Sequence, residues 1–347
     1  MTDEYVERRS GNKRVSYPHP ALEEVLSDTY GLPIYQDQVM LMAQRLASFT
    51  LAEADILRKA MGKKKKDIMA GLREKFIAGC LNNGLSRNLA EATFNDMEKF
   101  SRYGFNKAHA TAYAFVSYWT AYLKANYPTH FMASLLSSVS SDTDKIAEYI
   151  GECRDMRIEV LPPDINESRS EFTPVGEGKI RFGLGAIKHV GEGAIRVIVS
   201  ARAKGRFTSF FDMCRRVEGE TIDREALEAL IKAGTFDRLG ASRRGLLRHL
   251  SEGLELMQVA QRERATGQRS IFEESGGGIS EPEVTELEFD RDDLLALEKE
   301  FLGLYVSGHP LDQHRRTLSL HTTPAGQVKN LPNGARATVG GWVKRLR

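Results

Sequence analysis

Apolar residues recur three and four positions apart through most of this chain, and that spacing dictates a run of amphipathic helices. Leu22, Val25 and Leu26 share one face before a stop at Gly31-Leu32-Pro33. Val39, Met40, Met42, Ala43 and Leu46 share the next, from about Tyr35. Thr50 or Ser48 is placed to cap a helix through Ala54, Ile56 and Leu57, which Gly62 ends. Met69, Leu72, Phe76 and Ile77 mark another, closed by the Asn83-Gly84 turn, and Leu89 to Phe100 one more. A long aromatic-rich helix is expected from about Ala108 to Asn126, stopping before Pro128. Helices through Phe131–Ser138 and around Ile146, Tyr149 and Ile150 follow. Residues 1–20 are polar, with Pro18 and Pro20, and are expected to be extended.

The period changes only around Leu161-Pro162-Pro163-Asp164. There Phe172–Val175 and Lys179–Phe182 flank Gly176-Glu177-Gly178, which predicts a hairpin. Helical spacing resumes from about Ala186 to Arg264 and again from Asp293 to Gly303, while Ala335–Val343 alternates like a strand. The expected fold class is therefore mainly α with a small β-hairpin region.

Several chemistries drop out at once. The 3 cysteines, Cys80, Cys153 and Cys214, are too few and too dispersed for a disulfide framework or a four-thiolate metal site. Ala112–Leu123, the most apolar stretch, is about half a bilayer span, and the N-terminus shows no signal-peptide pattern, so a cytoplasmic protein with no membrane partner is expected. Forty-nine Lys and Arg against 47 Asp and Glu leave a formal charge of +2, so any anion-binding surface must come from local clustering. The Asp-x-Asp of Asp142-Thr143-Asp144 sits at a helix start, where aspartate caps; Asp292-Asp293 reads the same way. No residue is assigned to catalysis or to a metal.

Clusters do exist. Arg58-Lys59-Ala60-Met61-Gly62 runs into Lys63, Lys64, Lys65 and Lys66, and the pattern suits either a solvated basic face at a helix C-terminus or contact with polyphosphate. Cations and aromatics interleave from Lys99 to Tyr127. Phe115, Trp119 and Tyr122 are expected to face the core, whereas Asn106, Lys107, His109 and Tyr113 follow a Gly104 turn whose free N–H groups favour an anion. In Ile187-Lys188-His189-Val190-Gly191-Glu192-Gly193, continuing to Arg196, an apolar residue precedes Gly-x-Gly and helical spacing follows. This is the helix-hairpin-helix pattern, in which backbone N–H groups reach a DNA phosphate and Lys188 and Arg196 add charge. Leu230–Phe236 reads as a degenerate second copy. Residues 265–290 are poor in apolar residues and read as a linker, yet it carries Gln268-Arg269-Ser270-Ile271-Phe272, whose Ile271 and Phe272 could anchor in a groove while the Gln268 amide bonds at its rim.

Six ordered strings share one resemblance: Tyr35–Met40, Arg58–Lys66, Tyr103–Tyr113, Leu161–Asn166, Phe182–Lys188 and Leu304–Pro310. Together the chain resembles the C-family of bacterial replicative DNA polymerases over nearly its whole length. The resemblance implies a fingers domain at residues 1–165 and a tandem helix-hairpin-helix DNA-binding domain at 166–260. It further implies a linker with a clamp-binding peptide at 261–290, a helix and connector at 291–334, and the first strand of an OB domain at 335–347. It assigns incoming-nucleotide phosphates to Arg58 and Lys59, with Asn106, Lys107, His109 and Tyr113 lining the pocket. DNA contacts fall to Lys63, Lys64, Lys188, Gly191, Gly193 and Arg196, and sliding-clamp binding to Gln268, Ile271 and Phe272. Lys59 departs from the second arginine common in the family, replacing a bidentate fork with a point charge. The implied partners are primer-template DNA, a dNTP, the sliding clamp and other replisome subunits. The implied reaction is DNA-directed DNA synthesis, with Mg²⁺ held by palm aspartates that the family places N-terminal to this region. This stretch by itself is expected to hold no cofactor and to be inactive. The alternative is a stand-alone DNA- and clamp-binding adaptor without catalysis.

Overall fold

The computed structural model describes residues 2–62, 66–101, 104–217, 221–266 and 281–341. It divides into two compact units, 1–121 and 122–347, each with its own apolar core.

The first unit begins with α1 (Thr2–Arg9), where an extended entry was expected. Asp3 and Glu4 in its first turn and Arg8 and Arg9 in its last suit the helix dipole. Arg8 also donates to Tyr30 O at 2.9 Å and to Glu4 at 2.8 Å. Charge and one long arginine thus fix a helix that apolar spacing could not announce. A short α2 (Glu23–Leu26) leads to α3 (Gln36–Ala47), α4 (Leu51–Gly62), α5 (Lys66–Asn82) and α6 (Arg87–Ser101). Gln38 holds the start of α3: its Oε1 accepts from the N–H groups of Ile34 and Tyr35, both at 2.9 Å, and its amide donates to Thr29 Oγ1 at 2.8 Å. Thr50, not Ser48, caps α4; its hydroxyl accepts from Glu53 N–H, and Glu53 accepts in return from Thr50 N–H. Phe76 lies between Phe49 and Phe94, with ring centroids 6.2 and 5.5 Å away. Gly79 lets α5 close on the end of α3, since a Cβ there would run into Ala47 O. The first thiol, Cys80, is fully buried in this core.

Helix α7 (Lys107–Asn126) crosses the division between the units. It has no buried residue, and Phe115, Trp119 and Tyr122 are exposed, not in the core as their spacing suggested. Spacing reports a shared face; it does not report what covers that face.

In the second unit, α8 (Pro128–Ser138) and α9 (Thr143–Asp155) precede a three-stranded sheet of order β1-β3-β2. Strands β2 (Thr173–Gly176) and β3 (Lys179–Arg181) form the expected hairpin. β1 (Glu159–Leu161) adds in parallel, Val160 opposite Ile180; three residues are too short a run to show alternation. Asp142 caps α9, accepting from Lys145 N–H at 3.1 Å. The string from Leu161 to Asn166 serves the fold: Asn166 exchanges two hydrogen bonds with Phe207, and Ser168 bridges Asp164 N–H to Phe182 O. Next come α10 (Glu192–Arg202), α11 (Phe210–Arg216), α12 (Arg224–Lys232), α13 (Arg243–Arg248) and α14 (Leu250–Thr266). Cys153 and Cys214 are buried among them. α15 (Arg291–Phe301) is capped by Asp290, so Asp292 and Asp293 lie in its first turn and are not its cap. α16 (Arg315–His321) and α17 (Ala325–Val328) end the helices. Residues 335–341 form no strand: among the described residues no sheet edge pairs with them, and a backbone bond, from Thr323 N–H to Thr338 O at 2.8 Å, ties the segment to the residues after α16 instead. Residues 342–347 lie outside the described residues. Among the described residues no helix is long and apolar enough to cross a membrane.

Candidate nucleic-acid interface

In the first unit Gln36 links Arg58 to the start of α7. The apolar residues Ala54, Leu57 and Met61 bury one face of α4, which leaves Arg58 half-buried and Lys59 exposed beyond it. Arg58 donates through Nε and Nη2 to Asp55 Oδ1 at 3.0 and 2.7 Å, and through Nη1 to Gln36 Oε1 at 3.2 Å. Lys59 pairs with the other Asp55 oxygen at 2.6 Å. These partners, Lys59 foremost and then Arg58, hold the Asp55 carboxyl below the usual carboxylate range. The Gln36 amide donates to Gly104 O at 3.1 Å, and its backbone N–H donates to Phe105 O at 2.9 Å. One side chain therefore joins Arg58 to the turn that opens α7.

At that turn Asn106 is a cap: its Oδ1 accepts from His109 N–H at 3.1 Å, which takes up one of the amides expected to face an anion. Lys107 lies 5.7 Å from the Tyr35 ring centre and 3.4 Å from Asp28. The His109 and Tyr113 rings meet at 4.6 Å, and both residues are exposed. Arg58 and Lys59 are thus joined through Asp55, and Gln36 ties Arg58 to Gly104 at the turn, while Asn106 bonds within the first turn of α7, Lys107 meets Asp28, and His109 and Tyr113 lie along the exposed start of α7. Lys63 and Lys64 lie outside the described residues. Sequence reasoning missed Asp55 and Gln36. The first stands at helical spacing from both cations, a signal that was available; the second depends on a pairing across 68 residues, which was not.

In the second unit, Ile187 and Val190 are buried and anchor a hairpin whose tip, Lys188-His189, is exposed. Lys188 N–H donates to Phe301 O at 3.0 Å. Gly191 is the N-cap of α10 with φ −82° and ψ 159°, and Gly193 lies in its first turn. Neither glycine has a positive φ; the left-handed residue of the turn is His189, at φ 66°. The tight turn expected at the glycines is therefore made two residues earlier. A Cβ at Gly191 would meet nothing within 4 Å, and one at Gly193 only Thr221 at 3.9 Å. The fold itself makes no demand for glycine at either position, and both are exposed, as are Lys188 and Arg196. First-turn N–H groups with no side chain in front of them can meet a phosphate closely.

The second hairpin copy is a different object. Gly234 has φ 80°, and Thr235 N–H donates to Leu230 O at 3.2 Å, a helix C-cap. Its Cβ would strike the buried Arg243 guanidinium, and Thr235 and Phe236 are buried. That turn presents no backbone to an outside chain. Gln268, Ile271 and Phe272 lie outside the described residues. Among the described residues no three His, Cys, Asp or Glu side chains gather as a metal site, so the Mg²⁺ that the resemblance implies finds no fitting donor set there.

Comparison with known proteins agrees in order along the chain. Residues 1–84 match the bacterial DNA polymerase III alpha subunit finger domain, and residues 157–246 match a helix-hairpin-helix motif. A DNA polymerase III subunit alpha of Mycobacterium tuberculosis is 42% identical over 98% of this chain and 30% of its own length. That of Aquifex aeolicus is 41% identical over 100% of this chain and 28% of its own, and that of Escherichia coli 40% over 94% and 30%. The chain thus spans under a third of the length of these curated relatives.

Proposed function

The chain belongs, over the segment it spans, to the family of bacterial DNA polymerase III alpha subunits, and from that premise we propose that it is the nucleotide- and duplex-contacting part of a replicative DNA polymerase. Primer-template DNA, a dNTP, the sliding clamp and other replisome subunits are the partners of this reading. Arg58 and Lys59 meet the phosphates of the incoming nucleotide, with Asn106, Lys107, His109 and Tyr113 beside them. The first described cations to respond would be the pair on Asp55, which a triphosphate displaces by offering more oxygen acceptors than one carboxylate. Lys188, Arg196 and the N–H groups at Gly191 and Gly193 hold the duplex by its backbone, without reading sequence. The Gln268–Phe272 peptide docks on the clamp.

The observation that carries the duplex grip is the empty space at Gly191, where the protein's own packing has no need of glycine. Replacing Gly191 and Gly193 together with Val should therefore leave the fold intact and weaken duplex binding by about 1–3 kcal/mol whatever the sequence. Fluorescence anisotropy on duplexes of unrelated sequence measures this. Unchanged affinity in the folded double variant rejects the grip.

A further inference from the structure

The stretch from Ile165 to Ser170 runs beside α10 from its last turn to its first. Arg202, the last residue of that helix, donates through Nη1 to Ile165 O at 2.9 Å, and Ser170 Oγ donates to Glu192 Oε1, in the first turn, at 2.6 Å. Guanidinium groups gather along this line. Glu167 accepts from Arg181 at 2.5 Å, from Arg238 at 2.8 Å and from Arg206 at 3.4 Å. Asp164 accepts from Asn166 N–H at 2.8 Å and, at 3.5 Å, from the same nitrogen of Arg238. Arg169 is exposed, and its guanidinium has no hydrogen-bond or carboxylate partner among the described residues.

The arginines differ in what holds them. Arg181 is 7% exposed and gives its other terminal nitrogen to Pro162 O at 2.8 Å, so it ties β3 to the Leu161–Asn166 string. Arg206 and Arg238 are 67% and 61% exposed, and they come to a carboxylate that Arg181 already holds. Exposed pairs of that kind add little to stability. A guanidinium carries several N–H donors, and these bonds occupy one nitrogen of Arg206 and one of Arg238. The charges also crowd one another. Burial first, and then the charge of Arg169, hold Arg202 below the ordinary arginine value, with Arg206 adding to this and Asp164 opposing it. Arginine keeps its proton in proteins, so an arriving anion is what relieves such crowding.

We propose that Arg169, Arg206 and Arg238 form a second phosphate site for the DNA backbone, continuing along α10 the grip that begins at Gly191 and Gly193. The inference rests on the duplex-grip reading and deepens it. α10 has 11 residues. At ~1.5 Å per residue it is about 16 Å long, and each strand of a duplex presents a phosphate about every 3.4 Å along the axis. One duplex therefore offers phosphates at both ends of the helix. The glycines contribute neutral amides at one end, and the arginines contribute permanent charge and planar forks that match phosphate oxygens at the other.

The test is anisotropy of a short fluorescein-labelled duplex between about 50 and about 200 mM salt. R169Q removes a charge that has no bond to lose, and R206Q/R238Q removes two exposed ones. R315Q/R316Q, on α16, removes two exposed charges elsewhere in the same unit as a control. R169Q and R206Q/R238Q should each bind several-fold more weakly at the lower salt. In both, the slope of log affinity against log salt should be shallower by about 0.9 for every phosphate contact removed. R315Q/R316Q should keep the parent slope. A parent slope in R169Q or in R206Q/R238Q overturns the proposal, even where affinity falls, because a merely structural loss leaves the slope alone. An equal change of slope in R315Q/R316Q also overturns it, since net charge would then account for the effect. Arginine variants that lose affinity for inorganic triphosphate, by isothermal titration, but not for duplex overturn the assignment to DNA. A parent chain with no salt-sensitive duplex binding overturns the grip reading and this inference together. Binding that falls in the Gly191 and Gly193 double variant but keeps the parent slope in both arginine variants overturns this inference alone.

Discussion

Arg58 and Lys59 share one carboxylate, and that pairing shapes what each can do. Asp55 and Gln36 together take three of the Arg58 donor contacts, so the guanidinium is already aimed before any ligand arrives. Arg58→Ala should therefore cost more than the loss of one surface charge: affinity for a dNTP should fall by about ten-fold, the scale of a hydrogen bond to a charged group. Isothermal titration of the chain with a dNTP measures it, and an unchanged Kd would remove Arg58 from the pocket. A neighbouring carboxylate gives a second residue-scale test. Lys75 first, then the backbone N–H of Thr50, push Glu53 down to about 2 from an ordinary value of 4.5. A depressed carboxylate stabilises the fold fully above its unfolded pKa and loses that contribution as pH falls through its folded one. The Tm advantage of the parent over Glu53→Gln should thus be complete above about pH 4.5 and vanish near about pH 2. An advantage that does not change across that window would show that Glu53 acts through packing. The run of cations marked Arg58 and Lys59 as candidates, and the family resemblance gave them their expected role. Their partner Gln36 was hidden because it reaches Gly104 through a fold-dependent approach.

Two glycines on one helix should answer the same substitution with opposite signs. Gly71 of α5 is exposed, and a Cβ there meets nothing within 4 Å. Gly71→Ala should stabilise by about 1 kcal/mol, the helix-propensity difference between the two residues. Gly79 lies two turns on, against Ala47 O, an atom of the main chain that cannot swing aside. Gly79→Ala should gain the same propensity yet lose about 1–3 kcal/mol to overpacking, for a net loss. Urea denaturation of both variants decides it; two stabilised variants would mean that α3 and α5 are not held so closely. Helices were the most legible elements, because α3 to α9 each carry a period of apolar residues over several turns. α1 has no apolar stripe and β1 is three residues long, so neither had a pattern to read. The hairpin tip was legible as a motif and misread in detail: the glycines marked the place, while the left-handed residue is His189. The exposed α7 aromatics show the same limit, since a periodic face has no label saying whether protein or solvent lies beyond it.

At the scale of the whole chain, near-neutral net charge coexists with local cationic clusters, so its total charge says little about where anions are met. Each unit closes on its own apolar core, and each core holds at least one free thiol. Burial pushes Cys80 and Cys153 up to about 11, and raises Cys214 further. At neutral pH all three sulfurs are protonated and shielded, and only the thiolate attacks a disulfide reagent. In the folded chain, labelling should be slower than for a free cysteine by orders of magnitude, because it waits on opening of the surrounding helices. Mass spectrometry after timed exposure to reagent resolves the three sites, and rapid native-state modification of Cys214 would show that its surroundings breathe. The protein consequently carries its own clocks: one sulfur times the opening of the helices around Phe76, two time the loosening of those behind the hairpin, and no foreign probe has to be attached to read them.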